Sequence, residues 1–257
     1  MALAPYALAA PQLTHTMPAS FSIDSVMRVR RHQPTRLEGF VDASFAFAVT
    51  LVVISIGHVP DSVDEMLHAL RGVPTFATCF LLLARVWLSH RNWSRHYDLD
   101  DATGVVLSLA LTFVVLIYVY PLRILFAQMF FGFSGGWLSD GTIVQIKTVD
   151  ELRGAYAVFG CGLVALSGIF ALLYRHALKQ ADAIGLSAAE RLCTRMRIPA
   201  WLEQIALSGV SLALTAWLPM TSSLSYSLPG LVYSVSMFSG PLRRRYYRGR
   251  IARLEAT

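Results

Sequence analysis

Charge is scarce in this chain. Only 15% of its 257 residues are Asp, Glu, Lys or Arg, against 55% hydrophobic, and the mean hydropathy is +0.52. Soluble domains carry about a quarter charged residues, so this shortage excludes an ordinary water-soluble fold and points to a polytopic membrane protein. Cysteine is scarce too, with only 3 in the chain. Cys79 and Cys161 sit in apolar runs and Cys193 in a basic stretch, without pairing or metal spacing, which excludes a disulfide framework and a zinc site. Residues 1–34 lack the basic start and unbroken apolar run of a secretory signal, so they read as a mobile, attached tail. There is no Walker sequence, no HExxH motif and no repeat of the first apolar run.

What is present is a series of six apolar runs, at about residues 35–57, 73–89, 102–131, 153–174, 200–218 and 224–240. Without a closed barrel, only helices satisfy the backbone in hydrocarbon, so the expected fold is an all-α membrane protein with six transmembrane helices. Pro121 and Arg123 are expected to mark where the third run leaves the hydrocarbon. Ser187-Ala-Ala-Glu190 fits a capping box and predicts a short amphipathic helix over 188–197. The net charge of +6 lies between and beyond the apolar runs rather than in a patch for nucleic acid, so it reads as topology.

With the amino terminus in the cytoplasm, the inside segments hold Arg28, Arg30, Arg31, Arg91, Arg95, Arg175, Lys179, Arg191, Arg195, Arg197 and the arginines from Arg243 onward. The outside segments then keep Arg71 and Lys147, with Arg123 and Arg153 at their borders. Both ends are therefore expected to be cytoplasmic, with the protein in the inner or plasma membrane. The chain divides into a basic tail (1–34), a six-helix transmembrane domain (35–240) and a second basic tail (241–257).

The first run carries the candidate chemistry. At about 100° per residue, Phe47, Leu51 and Ile54 form one stripe with Thr50 beside it, and Asp42 points to nearly the opposite side. Such a stripe either packs helices or forms a hydrophobic constriction that closes a pore by dewetting, with the Thr50 hydroxyl offered to a partly dehydrated ion. A carboxylate at Asp42 is costly inside a membrane span and calls for a partner. Arg85 lies at a matching depth on the second run, which makes an Asp42–Arg85 pair geometrically possible. Trp87, His90 and Asn92 are further donors, and Arg85 alternatively snorkels to the headgroups.

Gly132-Phe-Ser-Gly135, extended by Gly136, matches short serine-hydrolase motifs. The context does not fit, because the last two runs contain no His and His176 is predicted at the opposite membrane face from Ser134. A glycine-rich turn after a helix is the better reading. A potassium-channel filter of the Thr-Val-Gly-Tyr-Gly kind is also missing.

Arg36-x-x-x-Phe40-Val41-Asp42, followed by Ala-x-Phe-Ala-Phe-Ala-Val-Thr50-Leu51, resembles the Arg-x-x-x-Phe-Ser-Asp signature of the transmembrane protein 175 potassium channels of lysosomes and bacteria. Trp87-Leu-Ser-His90-Arg resembles the Trp and His that follow in that family. The resemblance covers residues 36–123 by motif and the rest by topology. It implies a passive, potassium-selective leak channel that is not an enzyme and uses no cofactor, K+ being the permeant ion. It implies a homotetramer in the lipid bilayer, with the first helices lining a central pore. Phe47, Leu51 and Ile54 then narrow the pore, Thr50 is the polar layer, and Arg36, Phe40 and Asp42 brace the first helix together with Arg85, Trp87 and His90. Val41 stands where the signature has Ser, and Phe47 where the family usually has Ile or Leu. The alternative is a non-conducting scaffold or partner-binding subunit in which the stripe is only an oligomer interface.

Overall fold

A computed structural model describes residues 26–55, 60–138, 146–236, 239–243 and 245–246, and every regular element among them is helical. We label these α1 (Arg36–Ile54), α2 (Val63–Ala69), α3 (Val73–Tyr97), α4 (Ala102–Ser134), α5 (Val149–Lys179), α6 (Ala188–Trp217) and α7 (Ser223–Leu231). A 3-10 turn over Leu70–Gly72 joins α2 to α3. Among the described residues, five helical stretches are long and apolar enough to cross a membrane: α1, the α2–α3 rod, α4, α5 and α6.

Side-chain caps set where the helices begin. Thr35 and Glu38 form a capping box at α1, and Ser187 and Glu190 form another at α6. Asp101 caps α4 and Thr148 caps α5. Each cap satisfies amides that the first helical turn leaves open, an effect of about 1 kcal/mol. α3 stops at Asp98, which turns left-handed at φ 52°, and α4 stops at Gly135 with φ 61°, a conformation that glycine adopts without strain.

α4 is a single 33-residue helix from Ala102 to Ser134 that runs through Pro121, with Arg123 buried; at about 1.5 Å per residue it outruns the hydrocarbon and has to tilt or project. One expectation about the helices is revised. The short helix expected over 188–197 is the first third of the 30-residue α6, which runs through Pro199. Its capping box is as expected, and a proline removes only one bond from so long a ladder. The sixth run, read as a helix over 224–240, begins as the 9-residue α7, passes through a 3-10 turn at 232–234 and is helical again at 235–236 and 239–243. Pro229 and Gly230 inside that run weaken it as a continuous helix, and residues 237–238 lie outside the described residues.

α4 touches α1, α3 and α5, while α5 and α6 pair along much of their length. Gly162 lets α4 and α5 approach closely, because a Cβ there would collide with the Tyr118 ring. The core joins Val41, Phe45, Ala48 and Val52 of α1 to Leu111, Val115 and Val119 of α4 and to Phe170 and Leu173 of α5. Two of the buried polar contacts tie one helix to another. The Trp93 indole donates to the Leu173 carbonyl at 3.1 Å, and the Tyr97 and Thr194 hydroxyls meet at 2.8 Å.

The tail expected to be mobile is tied down at its carboxyl end, since the amides of Arg30 and Arg31 donate to the Arg95 carbonyl at 2.9 and 3.1 Å. Residues 1–25, His58 with its neighbours at 56–59, loop residues 139–145, Arg244 and the tail from 247 on lie outside the described residues.

Candidate functional site

α1 has two faces. Val41, Phe45, Ala48 and Val52 recur every three or four residues and are almost fully buried, with Val41 at 0% and Phe45 at 5% exposure. On the other side, Phe47 is 55% and Ile54 63% exposed. Thr50 is exposed beside them, and Leu51 is half-buried at the edge of the core. The four stripe residues thus do not stand equally, since Leu51 turns partly inward.

The Thr50 hydroxyl donates to the Ala46 carbonyl at 3.1 Å. Its proton is therefore committed to the helix, and the oxygen presents lone pairs outward, which suits a cation rather than an anion.

Asp42 is met by Trp87, whose indole N–H donates to Oδ1 at 2.7 Å. Among the described residues no ion pair joins Asp42 to Arg85, and both side chains are exposed. The reason is angular. Positions 85 and 87 lie roughly 200° apart around α3, so only one of them can face α1, and Trp87 does. The Arg91 guanidinium stacks over the same indole, 5.5 Å from its centroid. His90 lies about 60° round α3 from Trp87, is buried in the bundle, and meets the Ser108 hydroxyl of α4 at 2.9 Å. Within the chain, Asp42–Trp87 links α1 to α3, and His90–Ser108 links α3 to α4.

Arg36 and Phe40 project from the exposed side of α1, Phe40 at 55% exposure. Val41 is sealed in the core, so replacing the Ser of the signature by Val costs no visible hydrogen bond here. At the foot of α1, a cavity of about 180 Å³ is lined by Glu38, Asp42, His90, Arg91 and Arg95 together with residues 31–34.

Ser134 is the last residue of α4. Its hydroxyl donates to the Phe130 carbonyl at 2.7 Å and accepts the Leu138 amide at 2.9 Å. Among the described residues, no group of three or more His, Cys, Asp or Glu side chains could hold a metal ion.

Sequence reasoning missed three features. The capping box at Thr35 and Glu38 carries the same pattern that was read at Ser187 and was there to be found. Ser108 carried no signal as the partner of His90. The third is the acidic group Asp98, Asp100, Asp101 beyond α3. Arg31 reaches Asp98 at 2.6 Å and Asp100 at 3.0 Å, and His176 meets Asp101 at 2.9 Å. Burial disfavours the charged form of Arg31, but the hydrogen bonds and charges of Asp98 and Asp100 outweigh it and hold its pKa above the ordinary value.

Residues 36–121 match the family described as Endosomal/lysosomal potassium channel TMEM175. Over 207 residues the chain is 30% identical to a protein of Marivirga tractuosa named "Potassium channel", spanning 79% of this chain and 83% of that one. The crystal structure of a variant of the potassium channel MtTMEM175, in complex with a Nanobody-MBP fusion protein, superposes with a TM-score of 0.71 at 28% identity. That match covers 88% of this chain and 96% of the other.

Proposed function

Because the chain belongs to the TMEM175 family of potassium channels, a multi-pass membrane family without enzymatic chemistry, we propose that four copies surround a pore lined by α1 and conduct K+ passively. Phe47, Leu51 and Ile54 form its hydrophobic constriction, and Thr50 supplies a ring of hydroxyl oxygens to the passing ion. No cofactor takes part; the permeant ion, the lipid and the other three copies are the partners.

The observation that carries this reading is the division of α1. A helix that buried its whole circumference within its own chain could not line an axis, whereas α1 leaves Phe47, Thr50 and Ile54 outside. Arg36 and Phe40 on the same side are free to brace a neighbouring subunit, while Asp42, Trp87 and His90 brace α1 and α3 within the subunit. Arg85 takes the headgroup role.

Residues 35–240 form the channel domain between the tails 1–34 and 241–257. Residues 28–31, the α3–α4 turn and the α5–α6 loop meet at one end of the bundle. That end carries the basic residues, which supports placing it and both termini in the cytoplasm beneath a plasma or inner membrane. Vesicles loaded with potassium and containing the purified protein test the proposal. They are expected to lose K+ faster than empty vesicles and faster than matched vesicles lose Na+. Loss at the rate of empty vesicles would end the reading.

A further inference from the structure

Residues 28–31 are held more firmly than any tail requires. Arg30 forks onto Glu190, Nη1 to Oε1 at 2.8 Å and Nη2 to Oε2 at 2.9 Å. The same guanidinium donates to the carbonyls of His96, Ile184 and Gly185 at 3.0, 3.1 and 3.2 Å. Arg31 spans Asp98, Asp100 and the Ser94 hydroxyl. Both guanidiniums and the Glu190 carboxylate are largely buried, where two-pronged, charge-assisted contacts are strongest. Met27 is buried just upstream.

Two features of this lock concern α1. Arg31 lies four residues before Thr35, the residue that caps α1, and Nη1 also reaches its hydroxyl at 3.4 Å. There is almost no slack between the anchor and the helix. Glu190 in turn accepts the Ser187 amide at 2.9 Å as part of the α6 capping box, so one carboxylate holds both the start of α6 and the segment leading into α1.

We infer that residues 26–34 are a strap that sets the position of the foot of α1 against α3 and α6, and that Arg30, Arg31 and Glu190 are positioning residues for conduction. This rests on the reading of α1 as the pore helix. The strap touches no ion; it fixes the end of the helix that does.

The test uses the full-length protein with Glu190→Gln, Arg30→Gln and the two combined. Glutamine at 190 can keep the capping box through its one carbonyl oxygen, while it loses the charge and one of the two acceptors that the Arg30 fork uses. Two readouts are taken: tryptic cleavage within residues 28–31, which reports the docked strap, and potassium flux per assembled channel. Losing a charge-assisted fork is worth about tenfold in the docking equilibrium. Each single variant is expected to be cleaved roughly tenfold faster and to change flux by a similar factor in a shared direction, and the double variant is expected to match the singles. Faster cleavage with flux unchanged would overturn the inference, as would cleavage of the unmodified protein at the rate of the variants. If a glutamine variant fails to assemble, Arg30→Lys keeps the charge, loses the fork and has to show the same coupled change for the inference to stand. Absence of flux from the unmodified protein would instead remove the channel reading itself.

Discussion

Replacing Phe47 by Ala, with Phe45→Ala as its counterpart, separates the face of α1 that holds the fold from the face that meets the ion. The two rings are two residues apart and stand at 55% and 5% exposure. Phe45 is packed in the core, so its truncation leaves a cavity and costs about 3–5 kcal/mol. Less than half of Phe47 is out of water within the chain, so its truncation costs roughly 1 kcal/mol. At about 2–4 °C per kcal/mol, the first change lowers the unfolding midpoint by roughly 10 °C and the second by only a few degrees. Flux is expected to respond in the reverse order. A tenfold rise needs a barrier lower by about 1.4 kcal/mol, or roughly 0.3 kcal/mol for each of four rings withdrawn from a dewetting constriction. The assay is potassium efflux from vesicles, normalised to assembled protein, beside thermal unfolding of the same samples. Phe47→Ala with unmodified flux, or Phe45→Ala with the larger flux per assembled channel, would refute the assignment of faces.

Trp87→Phe removes the donor to Asp42 while keeping an aromatic ring at that position. Because both groups are partly exposed, the cost is about 1 kcal/mol, read as a drop of a few degrees in thermal unfolding; a larger drop from Arg85→Ala would show that the guanidinium is the true partner. Ser108→Ala strands the buried imidazole of His90 and is expected to destabilise by about 1–3 kcal/mol in denaturant titration, with no effect counting against a structural role for that bond. At Asp101, burial raises the carboxyl pKa, but the His176 hydrogen bond and the Gly104 amide lower it further, so the net direction is below the ordinary value of 3.8. A depressed carboxylate contributes stability that is present above its unfolded pKa and lost as pH falls through the folded one. Stability is therefore expected to hold near neutrality and to fall below about pH 4, and His176→Ala should flatten that acid limb. An acid limb identical in the variant would show that the pair is not coupled to folding.

The helices were legible because hydrocarbon leaves the backbone few options, and hydropathy records that constraint directly. The buried face of α1, Val41, Phe45, Ala48 and Val52, follows the helical period too, but both sides of the helix are apolar, so the period alone did not mark which side packs. What one sequence does not record is which of several donors wins. Arg85 and Trp87 both reach the depth of Asp42, and the choice between them depends on the rotation of α3, which its packing on α4 decides. Continuity through Pro199 was equally hidden, because α6 is long enough to absorb one lost bond. The role of Arg30 and Arg31 escaped because their partners, Glu190 and Asp98, are distant in sequence, so the same charges served equally well as a topological signal.

These points together account for an acid in the first span. Asp42 stands roughly 90° from the packed face of α1 and roughly 140° from Phe47, at the seam where α3 lies alongside. It needs neither a buried ion pair nor a place in the ion path, because an indole N–H satisfies one oxygen and solvent at the bundle end reaches the rest. The exposed arc from Phe47 to Ile54 is thereby left without charge, which a constriction that closes by dewetting requires. Moving the carboxylate one position, to Ala43, would swing it by about 100° onto that arc. A double variant, Asp42→Ala with Ala43→Asp, is therefore expected to lose the Trp87 contact and to hydrate the constriction together, raising cation flux while weakening the preference for K+ over Na+. Unchanged flux and preference in that variant would mean that the exposed side of α1 does not face the ion.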